Sequence, residues 1–121
     1  MFYEQKNRSL AELIHWLRTD APKNWEELVF IPEMDEHLKQ SLFLHRSALA
    51  LSLHEYEAWR SAGGVLLART IDGDYIGEKQ GETFFLPHSL VREDIKVKST
   101  TFLELLVAYE NSQAAISTFF D

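Results

Sequence analysis

Val65-Leu66-Leu67-Ala68-Arg69-Thr70-Ile71-Asp72-Gly73-Asp74-Tyr75-Ile76-Gly77-Glu78-Lys79-Gln80-Gly81-Glu82-Thr83-Phe84-Phe85-Leu86-Pro87 is the stretch that decides the fold. Val65 to Ile71 is apolar and extended in character. Asp72-Gly73 reads as a two-residue hairpin turn, because both central positions of such a turn favour positive φ. Asp74 to Gly77 returns, Gly81 allows a second turn, and Thr83 to Leu86 makes a third strand ended by Pro87. The expectation is a three-stranded antiparallel meander. Phe84 and Phe85 are adjacent on a strand and so point to opposite faces. Both faces are therefore covered, or one phenylalanine is left for an interface.

Helices flank this meander. Three capping boxes, Ser or Thr followed three residues later by Glu, open them: Ser9 with Glu12, Ser52 with Glu55, and Thr101 with Glu104. After the first, Leu10, Leu13, Ile14 and Leu17 recur at helical spacing with Trp16 beside them, and Ala21-Pro22 stops the helix near Asp20. The second carries Tyr56 and Trp59 and ends at Gly63-Gly64, which suits a C-cap. The third buries Phe102, Leu105, Leu106 and Tyr109. Leu28 to Ile31 is a short strand or extended segment. Met34 to Leu44 suits a helix better than a strand. Ser89 to Asp94 reads as a short helical turn, and Ile95 to Lys98 as an edge strand alternating apolar and basic residues. The class is α+β: N-terminal helices, a central antiparallel β-meander and a C-terminal helix. Residues 1–121 read as a single domain.

The 121 residues are 45% hydrophobic and 26% charged, which is a folding composition rather than a disordered one. The chain has no cysteine, which rules out disulfides and thiolate metal sites. No signal-peptide core follows Met1 to Arg8 and no stretch nears the ~20 apolar residues of a membrane span. A cytoplasmic, bacterial-type protein without membrane attachment is expected. The net charge of −7, from 19 acidic and 12 basic residues, opposes nucleic-acid binding, which relies on Lys and Arg. Seven acidic residues lie between Glu26 and Glu57, opposed only by Lys39 and Arg46. Solubility explains acidity in general; an acidic surface that steers onto a basic protein is the sharper reading. Its candidate partner-binding residues are Glu33, Asp35, Glu36, Glu55 and Glu57, with Asp72 and Asp74 on the hairpin.

No pattern for chemistry stands out. The five histidines lack the short paired spacing of metal ligands. Asp72-Gly73-Asp74 with Glu78 lacks the third acid and the bidentate Glu of a calcium loop. No catalytic, cofactor or metal residue is assigned. A small enzyme or ligand-binding protein, with a pocket near Asp72, Asp74 and a histidine, is the alternative. A structural homodimer burying Phe84/Phe85 or Phe119/Phe120 is a third.

Thr70-Ile71-Asp72-Gly73-Asp74-Tyr75-Ile76, then Phe84-Phe85-Leu86-Pro87, then Ser99-Thr100-Thr101-Phe102-Leu103-Glu104-Leu105-Leu106 resembles the SUKH superfamily. That superfamily includes the domain of the yeast cell-wall-synthesis regulator and many bacterial toxin-immunity proteins. The resemblance covers residues 64–110, about 40% of the chain. The leucine-Pro-x-aspartate-Tyr opening of the family is echoed only by Phe30-Ile31-Pro32-Glu33. The resemblance implies a non-enzymatic domain that binds a protein partner, in the immunity case often a basic nuclease toxin.

Overall fold

The computed structural model of the chain describes residues 1–45 and 47–120. Among them six strands form one antiparallel sheet whose spatial order is the chain order. They are β1 (Asn24–Trp25), β2 (Leu28–Val29), β3 (Val65–Thr70), β4 (Tyr75–Lys79), β5 (Glu82–Leu86) and β6 (Lys96–Lys98). Four α-helices accompany them: α1 (Leu10–Thr19), α2 (Met34–Leu44), α3 (Leu53–Ser61) and α4 (Phe102–Glu110). The α+β class and the central meander stand as the sequence implies.

The meander is longer than the expected three strands. β1 and β2 form a tight hairpin before α2, and β6 extends the sheet beyond β5. Two-residue strands are too short to show a periodicity of their own. Glu26, at φ 51, makes the turn between them.

The two hairpin turns exchange roles. Asp72-Gly73 is not a two-residue turn. Thr70 N–H donates to Asp74 C=O at 2.8 Å, Gly73 N–H donates to Thr70 C=O at 3.0 Å, and of the turn residues only Gly73 has positive φ, 93°. This is a three-residue loop, Ile71 to Gly73, with glycine at the left-handed position. The two-residue turn lies instead between β4 and β5. Gln80 and Gly81 have φ of 51° and 80°, flanked by the Lys79–Glu82 pair.

The three capping boxes all form, with both reciprocal bonds present at Ser9, Ser52 and Thr101. Each serine or threonine satisfies a backbone donor that the helix leaves unpaired, an effect of about 1 kcal/mol. In α1 the buried residues are Leu13, Trp16 and Leu17, while Leu10 and Ile14 are half-buried. The indole faces the core because it packs edge-on against Phe2, centroid to centroid 5.8 Å.

Side-chain alternation along the sheet divides the core in two. Ile76 and Phe85 join α1, α4 and Phe2 on one face; Tyr75 and Leu86 join α2 and α3 on the other. A bulge between Leu66 and Ala68 turns Leu67 and Ala68 toward the same cluster. Phe84 and Phe85 face opposite ways as adjacency requires. Phe85 meets Phe120 at 5.0 Å, and Phe84 meets Trp59 at 5.7 Å. Phe119 folds back onto Tyr109. The four phenylalanines proposed for a dimer surface thus pack within the chain.

Trp59 shows why two glycines are needed. α3 ends in a Schellman motif: Gly64 N–H donates to Trp59 C=O at 2.9 Å and Gly63 N–H to Arg60 C=O at 3.0 Å, with Gly63 at φ 104. This folds Gly64 under the Trp59 ring, where a Cβ would lie 2.3 Å from an indole carbon. Gly77 of β4 closes the slot. A Cβ there would stand 2.7 Å from both Trp59 Cη2 and Val65 C=O. The indole can shift, but the Val65 carbonyl belongs to the β3–β4 ladder. Gly77→Ala is therefore expected to lower stability by about 1–3 kcal/mol, the usual range for overpacking. Urea unfolding measures it as a lower midpoint at unchanged slope; an unchanged midpoint would show that the slot is looser than its geometry.

Candidate functional site

The candidate acidic residues divide by what they touch. α2 begins without a side-chain cap, and Asp35 and Glu36 occupy its first turn, where carboxylates interact favourably with the helix dipole. Glu33, Glu36, Gln40 and Leu44 are all exposed and follow one another by three, four and four residues. They form a single outward stripe, acidic at the N-terminal end and apolar at the C-terminal end. Phe43 and Leu49 are exposed as well. Glu57 is exposed on α3, which packs beside α2. Among the described residues Glu33, Glu36 and Glu57 have no ion-pair partner.

Asp35 is a structural joint. It accepts a short hydrogen bond from the Tyr56 hydroxyl, lies 3.2 Å from Arg60 Nε and 3.3 Å from Lys39 Nζ. Burial alone would raise its pKa; the Tyr56 and Lys39 hydrogen bonds and the Arg60 charge outweigh burial and hold the carboxyl below its ordinary value. Burial and the adjoining carboxylate push the Tyr56 hydroxyl far up. Asp35 therefore ties α2 to α3. Glu27, also in the acidic segment, accepts from the Tyr109 hydroxyl and from Ile116 N–H, each at 2.8 Å. It anchors the C-terminal turn, and burial, with Glu27, raises the Tyr109 pKa to about 12.

Glu55 belongs to the α3 capping box and also accepts from Arg92 Nε at 3.0 Å. The Arg92 hydrogen bonds, followed by those of Ser52, lower its pKa to about 2.

On the hairpin, Asp72 is exposed, whereas Asp74 is not free. Asp74 accepts from Thr70 Oγ1 at 3.0 Å and from His88 N–H at 2.8 Å, with His88 Nδ1 2.9 Å away. The structure thus joins Asp74 to a histidine, but the His88 side chain is 69% exposed and the pair holds the loop against the segment after β5. Among the described residues no three histidine, aspartate or glutamate side chains converge as a metal would need. No helix among them is long and apolar enough to cross a membrane.

Glu78 is the titratable residue to which sequence reading gave no role once a calcium loop was set aside. It sits within β4, 5% exposed, and its Oε1 accepts Phe102 N–H at 2.7 Å. Burial raises its pKa, the Phe102 bond opposes this, and Glu104 adds to the rise. It lines a cavity of about 480 Å³ with Lys6, Arg8, Thr101 and Glu104. The signal was available: Ile76 faces the α1/α4 core, so residue 78 must face it too. The carboxylate satisfies an otherwise orphaned donor at the start of α4.

Comparisons with protein-family models, with curated proteins and with solved structures return no match.

Two pH dependences follow, of opposite sign. Glu55, depressed from its ordinary 4.5 to about 2, contributes stability that is present above pH 4.5 and lost as pH falls toward 2. Glu55→Gln should flatten the acid limb of the melting temperature between those values; an unchanged limb would show that the Arg92 pair is screened away. Glu78, raised above 4.5, makes the fold less stable as pH climbs from 4.5 through its folded pKa. Glu78→Gln keeps a carbonyl acceptor for Phe102 and removes the charge. It should melt higher than wild type at pH 7, with the gap closing below pH 4.5. A lower melting point at pH 7 would mean that the anion at the α4 N-terminus is favourable on balance.

Proposed function

We propose that this chain is a non-enzymatic protein-binding domain of SUKH type that engages a basic protein partner through the outer face of α2 and α3. The observation that carries the reading is the α2 stripe: among the described residues Glu33 and Glu36, joined by Glu57 from α3, are exposed carboxylates without an ion-pair partner, and Leu44, at the C-terminal end of the same stripe, is 67% exposed. Exposed apolar residues rimmed by charge suit a protein interface. Unpaired carboxylates attract a basic surface over a distance of about 8–10 Å at physiological salt.

The family reading draws support from the fold. The segments that carry the resemblance form the β3–β4 hairpin, the apolar strand β5 and the capped helix α4. In such a domain an immunity or regulatory role is the natural one, and a nuclease toxin is a fitting basic partner. The non-enzymatic reading rests on Glu78, whose carboxylate is engaged by the backbone of α4. Asp35 and Asp74 are half-buried and hydrogen-bonded within the fold and Glu55 is paired with Arg92, so Glu33, Glu36, Glu57 and Asp72 are the contact candidates this reading favours.

The test is capture of partners from a lysate of the source organism, followed by titration of the purified partner. Wild type should retain a basic protein at low salt and release it as salt rises. Glu33→Lys combined with Glu36→Lys and Glu57→Lys should weaken it about tenfold or more, chiefly through a slower association rate. Circular dichroism checks that the variant is folded. Equal binding by the folded triple variant would remove this face from the interface.

A further inference from the structure

On the α1/α4 side of the sheet lies a cavity of about 480 Å³, within the roughly 300–1,000 Å³ of ligand pockets. Leu10 and Leu13 of α1 and Leu103 and Val107 of α4 give it aliphatic walls. Its charged lining is two acids, Glu78 and Glu104, and two bases, Lys6 and Arg8. Among the described residues none of these four has an ion-pair partner.

The Glu78 carboxylate faces this cavity. Its Oε1 lies 2.7 Å from Phe102 N, and the residues on either side of Phe102, Thr101 and Leu103, both line the cavity. Its Oε2 accepts no hydrogen bond from a described residue. Nor is that oxygen sealed off: the enclosed side-chain atoms without a partner are Trp59 Nε1 and Arg69 Nε. Glu78 is 5% exposed, and a carboxylate that deep, with one backbone bond and no counter-ion, is costly. The Glu104 charge adds to the cost, because like charges disfavour each other. A ligand ammonium on Oε2 offsets both penalties.

The bases lie at the mouth, since Lys6 and Arg8 are exposed whereas Glu78, Leu13 and Leu103 are buried. Lys6 Nζ donates to the Tyr3 hydroxyl at 2.7 Å and Arg8 Nε to Gln5 Oε1, so the N-terminal segment itself positions both cations. A simple amine would leave the two bases unanswered, and a simple carboxylate would leave Glu78 so.

We propose that this cavity binds a small zwitterion with an aliphatic body, an apolar α-amino acid. Its ammonium sits on Glu78 Oε2, its carboxylate points toward Lys6 and Arg8, and its side chain lies on the leucine and valine walls. The cavity is on the opposite face of the sheet from α2 and α3, so the site stands whether or not the α2 stripe meets a partner.

L-Leucine is the probe, with two analogues that each lack one charge: 3-methylbutylamine, without the carboxylate, and 4-methylpentanoate, without the amine. Each is titrated at pH 7 into the full chain, by calorimetry and by nitrogen-15 amide shifts. Leucine is expected to move the Phe102 and Leu103 amides and to bind about tenfold more tightly than either analogue, the equivalent of one charge-assisted hydrogen bond. In Glu78→Gln, leucine and the amine should each lose about tenfold, while 4-methylpentanoate binds no less tightly. In Lys6→Ala combined with Arg8→Ala, two exposed positions, leucine and 4-methylpentanoate should lose about tenfold and the amine should not. Should Glu78→Gln not fold, the double variant and the two analogues carry the test. No binding of leucine up to its solubility limit, leucine no tighter than either analogue, or wild-type affinities in the folded variants overturns the proposal.

Discussion

Successive side chains of β4 point to opposite faces of the sheet, so a strand of five residues serves two cores at once. Tyr75 and Gly77 face α3, where the glycine gives Trp59 its seat. Ile76 and Glu78 face α4. Helices lie on both sides of an antiparallel sheet that is only six strands wide, and neither side packs without this strand. A one-residue slip of β4 would drive Ile76 into the Trp59 slot and move Glu78 away from α4.

The polar groups inside this fold are placed as deliberately as the apolar ones. Glu78 and Thr83 are directly opposite in the β4–β5 register. Glu78 receives Phe102 N–H and Thr83 Oγ1 donates to Thr100 C=O at 2.7 Å. One cross-strand pair thus holds the start of α4 from two sides. Asp35 does the same for α2 and α3, and Glu27 for the C-terminal turn. Part of the acidity is therefore internal architecture. Other carboxylates, among them Glu26, Asp72, Glu82, Glu93 and Asp94, are exposed elsewhere; the α2 stripe supports the binding reading because its carboxylates share a helix face with the exposed Leu44.

An apolar cavity beside Trp59 has a different origin. α3 has nine residues and ends in a glycine motif, so it covers the sheet only in part. Tyr56 and Trp59, one turn apart on α3, reach over the uncovered portion.

Local sequence determined much of this protein. Capping boxes at Ser9, Ser52 and Thr101, the helical spacing of Met34, Leu38 and Leu42, the strands around residues 65–86 and the opposed Phe84 and Phe85 were all legible, because each depends on residues a few positions apart. The turn between β3 and β4 was not: Asp-Gly suits two kinds of loop, and the bonds of Asp74 to Thr70 and His88 selected the three-residue one. The two-residue strand β2 pairs with the edge that β3 offers, and β1 pairs in turn with β2. Which carboxylates remain free was decided only by the tertiary structure. Asp35 and Glu36 are neighbours of the same chemistry, yet one is half-buried against Tyr56 and Arg60 and the other faces solvent. That difference is set by residues about 20 positions away, brought near by the sheet beneath both helices.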